Sequence, residues 1–230
     1  MKISFILVEP AVPENVGAAA RAIKTMGFHD LRLVNPCDYL DTRAKMLAHA
    51  SLDILENAAI YKSLNKAVSD LDFTIATSAK QRWVKLDIIP CSDLKHFIQE
   101  KENTVSNIGI VFGREESGLT NEEINLCSRV SAIPLKIPYP SLNLAQSVMI
   151  YAYELSGITI KEETGDYEAV NPASLKSLQN KISKLLCYSE ITPELLIYGR
   201  IFERTTSLSA NDIRLLHSIT TKLCEKLNIE

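Results

Sequence analysis

The sequence predicts an α/β domain built on a mainly parallel sheet, followed by a small helical extension. Three observations carry that reading. From residue 1 to about 158, short β-branched runs alternate with longer stretches of helical periodicity. Residues 159–172 are polar enough to act as a linker. Three further helical patterns then follow with no strand between them. The predicted strands are 3–9, 31–35, 73–77, 108–112 and 130–135. A helix over 15–26, rich in small and apolar residues, joins the first two strands and is stopped by Gly27. Thr120 and Glu123 have the spacing of a capping box and start a short helix. A helix over 143–158, with Leu144, Val148, Tyr151 and Leu155 on one face, closes the first domain. The domains expected are therefore 1–158 and 173–230, with 159–172 between them. In the second, helices are expected over 172–187, 193–204 and 209–227, with Pro193 in a first turn and Ser209 as a cap.

The 230 residues suit one domain with an appendage, at ~100–200 residues per domain. With 46% hydrophobic and 23% charged residues the chain can bury a core without staples, which excludes disorder and collagen-like repeats. The apolar run 3–8 stops at Glu9, far short of the ~20 residues a membrane span needs. It is also too short for a signal peptide, so a cytoplasmic protein with no membrane partner is expected. The five cysteines are odd in number and lie at least 36 positions apart, which supports neither a disulfide framework nor a zinc site. They read as reduced, mostly buried thiols. Four scattered histidines follow no ligand spacing, and no metal is expected. The net charge of −3 excludes a globally basic nucleic-acid binder and leaves RNA contact to local patches.

Three motifs hold residues able to do chemistry. The loop after the first strand brings Asn15, Gly17 and Arg21. Asn15 and Gly17 serve a helix cap and close packing equally well, whereas Arg21, on an apolar turn, calls for an anion or a carboxylate. The second motif runs from Val111 to Leu119, a buried strand entering a loop with Gly113, Arg114, Glu115 and Gly118. In open α/β sheets ligands bind at that edge, where glycine lets backbone donors approach closely. The third runs from Ile133 to Gln146 and carries Ser141, Leu142 and Asn143, of which Ser141 and Asn143 could be no more than N-caps. Lys80, Arg82 and Lys85 surround the only tryptophan, Trp83, a pairing of cations and aromatic that suits single-stranded RNA and equally a solvated loop. Residues 171–224 hold seven Lys or Arg against four Asp or Glu, a local basic excess that offers an accessory RNA surface.

In this order, with ESGL and SLNLAQ intact, the motifs resemble the SpoU/TrmH family of SPOUT RNA methyltransferases over residues 1 to about 158. The opening and tail are most similar to its TrmJ-like, or LasT-like, branch, and Arg200 and Arg204 are similar to a basic helix late in that branch. The resemblance implies a SPOUT fold with a C-terminal trefoil knot and a homodimer. It implies a 2′-O-ribose methyltransferase using S-adenosylmethionine, acting on tRNA at an anticodon-loop cytidine or uridine, or on rRNA. It places Asn15, Arg21, Glu115, Ser141 and Asn143 in catalysis, and the cofactor among Thr77, Ser78, Ala79, Gly113, Ile133, Ser141, Leu142 and Asn143. RNA contact falls to Lys80, Arg82, Trp83, Lys85, Arg200 and Arg204. Glu116 and Ser117 depart from the arginine-valine of some TrmJ relatives and leave the RNA target open. Two other readings stand beside it: an ordinary nucleotide-binding α/β enzyme with its phosphate at the first βα loop, and an RNA-binding protein of the same fold without catalysis.

Overall fold

The computed structural model describes residues 1–78, 88–137, 141–158 and 171–229. They form two units, one of Met1–His96 with Asn107–Ile160, the other of Phe97–Ser106 with Lys161–Glu230. The first holds a seven-stranded sheet of β1 (Lys2–Val8), β2 (Asp30–Val34), β3 (Ala59–Tyr61), β4 (Phe73–Thr77), β5 (Ile89–Pro90), β6 (Asn107–Phe112) and β7 (Arg129–Ala132). The strand order is β3-β2-β1-β6-β4-β7-β5, and every pair is parallel. Parallel sheets are covered on both faces, so their strands run apolar throughout. Six consecutive residues of β1 are accordingly buried.

Each face has its own core. Ile6, Val8, Val34, Ala76, Val111 and Val130 pack with Leu64 and Ala67 of α4 (Leu64–Val68) and with Ile124 of α6 (Asn121–Asn125). On the other side Phe5 lies 5.2 Å from Phe28 and 6.3 Å from Phe112, and Tyr151 meets Phe112 edge-on at 5.5 Å. Tyr151 belongs to α7 (Leu144–Leu155), which packs beside α1 (Pro13–Thr25). The Tyr151 hydroxyl donates to Ser131 Oγ at 3.1 Å, which satisfies it in the core.

Several boundaries differ from expectation for local reasons. The last strand ends at Ala132 rather than residue 135, because Pro134 has no N–H to offer the ladder. Residues 133–135 leave the sheet instead. The strands β3 and β5, three and two residues long, are too short for periodicity to reveal, as are α2 (Thr42–Ala48), α3 (Leu52–Glu56) and α5 (Leu94–Gln99). Helix α1 is capped at Val12 with Pro13 in its first turn, which leaves the Asn15 side chain free for another task. The capping box of Thr120 and Glu123 is present, and Gly27 takes φ 84° after α1. Of the five free cysteines Cys91 alone is fully buried and Cys187 is exposed, so "mostly buried" overstates their burial. Burial pushes the Cys91 and Cys127 thiols up to about 12.

The second unit contains α8 (Pro172–Tyr188), α9 (Leu196–Thr205) and α10 (Ala210–Leu227). Its small core comprises Leu175, Leu178 and Ile213. The segment Phe97–Ser106 belongs to it as well, held by the buried pair of Lys101 Nζ and Glu203 Oε1 at 3.3 Å and by Thr104 Oγ1 donating to the Thr206 carbonyl. Sequence pattern assigns that segment to the first domain, since nothing local marks a contact a hundred residues away. Helix α9 starts at Leu196, three residues after Pro193, because the Leu195 N–H bonds to the Thr192 carbonyl in a turn. Asn171 caps α8 by accepting from the Ala173 N–H at 2.9 Å, so the end of the polar stretch is already a helix start; 159–170 fall outside the described residues.

Gly17 shows how tightly α1 and α2 meet: a Cβ there would lie 2.0 Å from the Ala44 carbonyl oxygen. Alanine gains up to about 1 kcal/mol in helix propensity. Backbone overlap outweighs that gain, and overpacking of this kind costs about 1–3 kcal/mol. Gly17→Ala is expected to lose stability by that order in urea unfolding; an equal or raised midpoint would refute the close approach.

Candidate active site

Parallel pairing brings the C-terminal ends of β6, β4 and β7 side by side, through Ala76 opposite Val111 and Thr77 opposite Ser131. The segments that leave them enclose a cleft of about 140 Å³. Thr77 ends β4 and Ser78 follows it, residues 113–119 come from the loop after β6, and Ile133, Leu135, Ser141 and Leu142 from the segment after β7. Phe112, Tyr151 and Ile124 form its deeper wall, and Leu144 and Ser147 of α7 complete it. The lining joins apolar walls to a few hydroxyls and backbone groups, the usual make-up of a cofactor site.

The loop after β6 is shaped by its glycines. A Cβ on Gly113 would lie 2.2 Å from the Gly118 carbonyl carbon, and Gly118 itself takes φ 71°. Between them Arg114 and Gly118 form an antiparallel bridge that folds the loop back on itself. This brings Glu115 to the first motif, where its carboxylate accepts from the backbone N–H of Ala11 at 3.1 Å and Val12 at 3.3 Å, and from Asn15 Nδ2 at 3.0 Å. Asn15 Oδ1 in turn accepts from Asn143 Nδ2 at 2.7 Å. Asn143 Oδ1 caps α7 through the Ala145 N–H at 2.8 Å, and Gln146 closes the capping box. Glu115, Asn15 and Asn143 thus form one oriented chain of hydrogen bonds. The carboxylate can only accept, which turns the Asn15 amide, and that turns the Asn143 amide. Burial works against the Glu115 charge, but the bonds from Asn15 and the Ala11 backbone outweigh it and hold this carboxyl below the usual range.

Of the other sequence-predicted residues, Thr77, Ser78, Gly113, Ile133, Ser141 and Leu142 line the cleft, whereas Asn143 stands beside it in the chain just described. The Thr77 hydroxyl donates to the Val111 carbonyl at 3.0 Å, so only its acceptor side is open. Arg21 stands apart from this chain of hydrogen bonds. Its turn of α1 leaves it exposed, with no partner among the described residues, and Glu115 holds Asn15 and not Arg21. Six residues rotate a helix by about 240° beyond one full turn, so Asn15 and Arg21 cannot share a face. Ala79, Lys80, Arg82, Trp83 and Lys85 lie outside the described residues. Arg200 and Arg204 are exposed on α9 of the second unit, with Arg204 Nε 3.7 Å from Glu203 Oε2. Sequence reasoning did not assign to the site the lining residues Leu119 and Leu135, though they lie inside its motifs, nor Ser147, nor Tyr151, which reads as ordinary core, and it missed the role of Arg114, whose partners Glu9 and Glu123 lie far off or inside a helix cap. No described group of three or more His, Cys, Asp or Glu could hold a metal ion, and no described helix is long and apolar enough to cross a membrane.

The profile of the SpoU rRNA methylase family matches residues 2–153. This chain belongs to that family. It is a methyltransferase of the SpoU type, and the nucleotide-binding and non-catalytic readings give way to this one. A relative from Escherichia coli K12, described as the uncharacterized tRNA/rRNA methyltransferase LasT, is 37% identical over 219 residues, covering 95% of this chain and 96% of its own. The tRNA (cytidine/uridine-2′-O-)-methyltransferase TrmJ of the same organism is 34% identical over 230 residues, covering 99% of this chain and 91% of its own. Among solved structures, TrmJ from Z. mobilis ZM4 aligns with a TM-score of 0.66 at 27% identity, over 97% of this chain and 99% of that one.

Because the fold lowers the Glu115 pKa, the stability its bonds contribute is fully present above the unfolded-state value, about 4.3 for a free glutamate. It is lost as pH falls through the lowered folded value. Glu115→Gln in this SpoU methyltransferase is therefore expected to be less stable than the parent by a constant margin between pH 8 and about pH 5. The margin should shrink at more acidic pH. Urea unfolding across that range checks it, and a margin that does not shrink in acid would mean the charge of Glu115 is not what the loop depends on.

Proposed function

We propose that this chain is an S-adenosylmethionine-dependent ribose 2′-O-methyltransferase of tRNA, acting on a cytidine or uridine of the anticodon loop as a homodimer with the knotted SPOUT chain path. The observation that carries this reading is the cleft over the ends of β4, β6 and β7 with the Glu115–Asn15–Asn143 chain at its side. The name of the E. coli TrmJ relative supports the tRNA and 2′-O assignments.

The residues present fit the cofactor. Ile133, Leu135 and Leu142 offer apolar faces for an adenine, and the crowded backbone at Gly113 and Gly118 leaves peptide groups close to the cleft. Glu115 and Glu116 supply negative charge beside a cationic ligand. In this reading Thr77, Ser78, Gly113, Ile133, Ser141, Leu142 and Asn143 hold S-adenosylmethionine, which when bound supplies an electrophilic methyl group on its sulfonium.

Much of the acceleration in such a transfer comes from alignment of two bound reactants. Glu115, already accepting from three donors and ionised, serves as a fixed anchor for Asn15 rather than as the group that takes the hydroxyl proton. The exposed Ser141 hydroxyl, without a partner among the described residues, is open to orient the ribose. The guanidinium of Arg21 is a poor base but a permanent cation, suited to hold the neighbouring phosphate and to stabilise developing negative charge on the 2′ oxygen. Arg21 is not among the residues that line the cleft of its own chain, which supports its serving the cleft of a second copy. Arg200 and Arg204, together with the 80–85 segment, are the RNA contacts in this proposal.

Nucleoside mass spectrometry of tRNA and rRNA from cells with and without the gene tests the reaction and substrate. Loss of a mapped ribose methylation in tRNA is expected; loss confined to rRNA would move the substrate, and no loss at all would sink the reading. Leu142→Asp is expected to weaken S-adenosylhomocysteine binding by about tenfold or more in calorimetry, by placing a charge on an apolar wall. Unchanged affinity would displace the cofactor from this cleft. Arg21→Ala and Asn143→Ala homodimers are each expected to lose transfer, while mixed dimers regain one working site. Well-formed mixed dimers without activity would argue against sharing.

A further inference from the structure

We propose that Arg114 is a positioning residue for methyl transfer, acting through the segment it clamps rather than on either reactant. The inference rests on the reading of the cleft given above. Its guanidinium, with a quarter of its side chain exposed, reaches three places at once. Nε donates to Glu9 Oε2 at 2.8 Å; Nη1 and Nη2 take both Glu123 oxygens at 3.0 Å each; Nη1 also donates to the Gly118 carbonyl at 3.3 Å. Both carboxylates are thereby tied to the loop that lines the cleft. Glu123 also accepts from the Thr120 N–H at 2.7 Å, so the start of α6 is held by the same group.

Two features make this more than a staple. Glu9 takes φ 47°, a left-handed conformation that a non-glycine residue keeps only where its surroundings enforce it. Arg114 is one enforcing contact, and the Glu9 N–H bond to the Val34 carbonyl at 2.8 Å is the other. Moreover, Arg114 and Glu115 are consecutive and grip the same stretch of chain. Arg114 holds Glu9 at the end of β1; Glu115 holds Ala11, Val12 and Asn15 just beyond it. The place of the Asn15 amide, and of Asn143 behind it, is therefore fixed by two adjacent side chains pulling on one segment. Lysine cannot reproduce this, because a single ammonium lacks the planar fork that engages two carboxylates and a carbonyl together. Misplacement of a reacting arrangement by about 1 Å can cost a hundredfold in rate.

The test uses the full-length protein as Arg114→Lys and as Glu9→Gln, which leaves the Glu123 fork intact. S-adenosylhomocysteine titration counts competent sites by stoichiometry, and transfer of labelled methyl to tRNA from a strain lacking the gene gives kcat and KM. The expected result for Arg114→Lys is unchanged stoichiometry, a tRNA KM within about twofold, and kcat per competent site lower by about tenfold or more. A smaller loss in kcat of the same kind is expected for Glu9→Gln. A merely structural ion pair would lower the melting temperature or the number of competent sites and leave kcat per site unchanged, and that result overturns the proposal. If Arg114→Lys does not fold, Glu9→Gln decides alone by the same criterion. A parent protein that binds no S-adenosylhomocysteine and methylates neither tRNA nor rRNA overturns the functional reading and this inference with it; an active parent with variants of unchanged kcat per site overturns this inference only.

Discussion

Parallel strand pairing puts like ends of strands together, and that constraint governs where everything else in the first unit can be. With β6 at the centre, the chain emerging from β1, β4 and β7 has to turn at the same edge, and side chains from residues 9–15, 77–78, 113–119, 133–135 and 141–147 become neighbours. An antiparallel arrangement would send half of these loops to the opposite edge. The apolar character of the strands, buried on both faces, is the energetic side of the same fact: helices must cover each face, α4 and α6 on one, and α1 and α7 together on the other, where they also bring Asn15 and Asn143 to the cleft.

Charge is then managed by pairing and by peptide donors. Glu115 spends its two oxygens on two backbone N–H groups and one amide, so its negative charge is retained in a half-buried place with no cation paired to it among the described residues. Arg114 takes the opposite course and is held between two carboxylates, which push its already high pKa further up. Adjacent residues of opposite sign thus face different partners and do not neutralise each other. The outcome is a loop whose shape depends on both being ionised, which they are throughout the neutral range.

Much of this is legible in the sequence, and the illegible part has physical causes. The five longer strands and the capping boxes are local patterns. Gly17 and Gly113 signal close backbone approach, and both make one. Asn15 looks as much like a helix cap as a site residue; only its distance from the true cap at Val12 separates the two, and that depends on where the helix starts. Asn143 is both a cap and a member of the chain, so the bland and functional readings of it were never exclusive. Arg21 sits among apolar neighbours in sequence yet points to solvent, because helical rotation sends consecutive residues to different sides. The partners of Arg114 lie 105 residues back and nine forward, and no window along the chain contains both. The segment Phe97–Ser106 is invisible for the same reason.

The order of strands in space also sets an order in time. The middle of the sheet, β6, is the sixth strand to leave the ribosome, and its neighbours β1 and β4 are both made before it. Until residue 112 has been synthesised these two have open edges on the sides that will face each other, and the apolar residues of β1 have no inner partner. Contacts of such long sequence separation form late and slowly, and unpaired edges invite association with other chains in the interval. The nascent protein therefore passes through a stage with one incomplete half-sheet, β1 to β3, and a β4 whose two sheet neighbours have yet to be made. The site, which needs residues 15, 115 and 143 together, is the last thing the growing domain acquires.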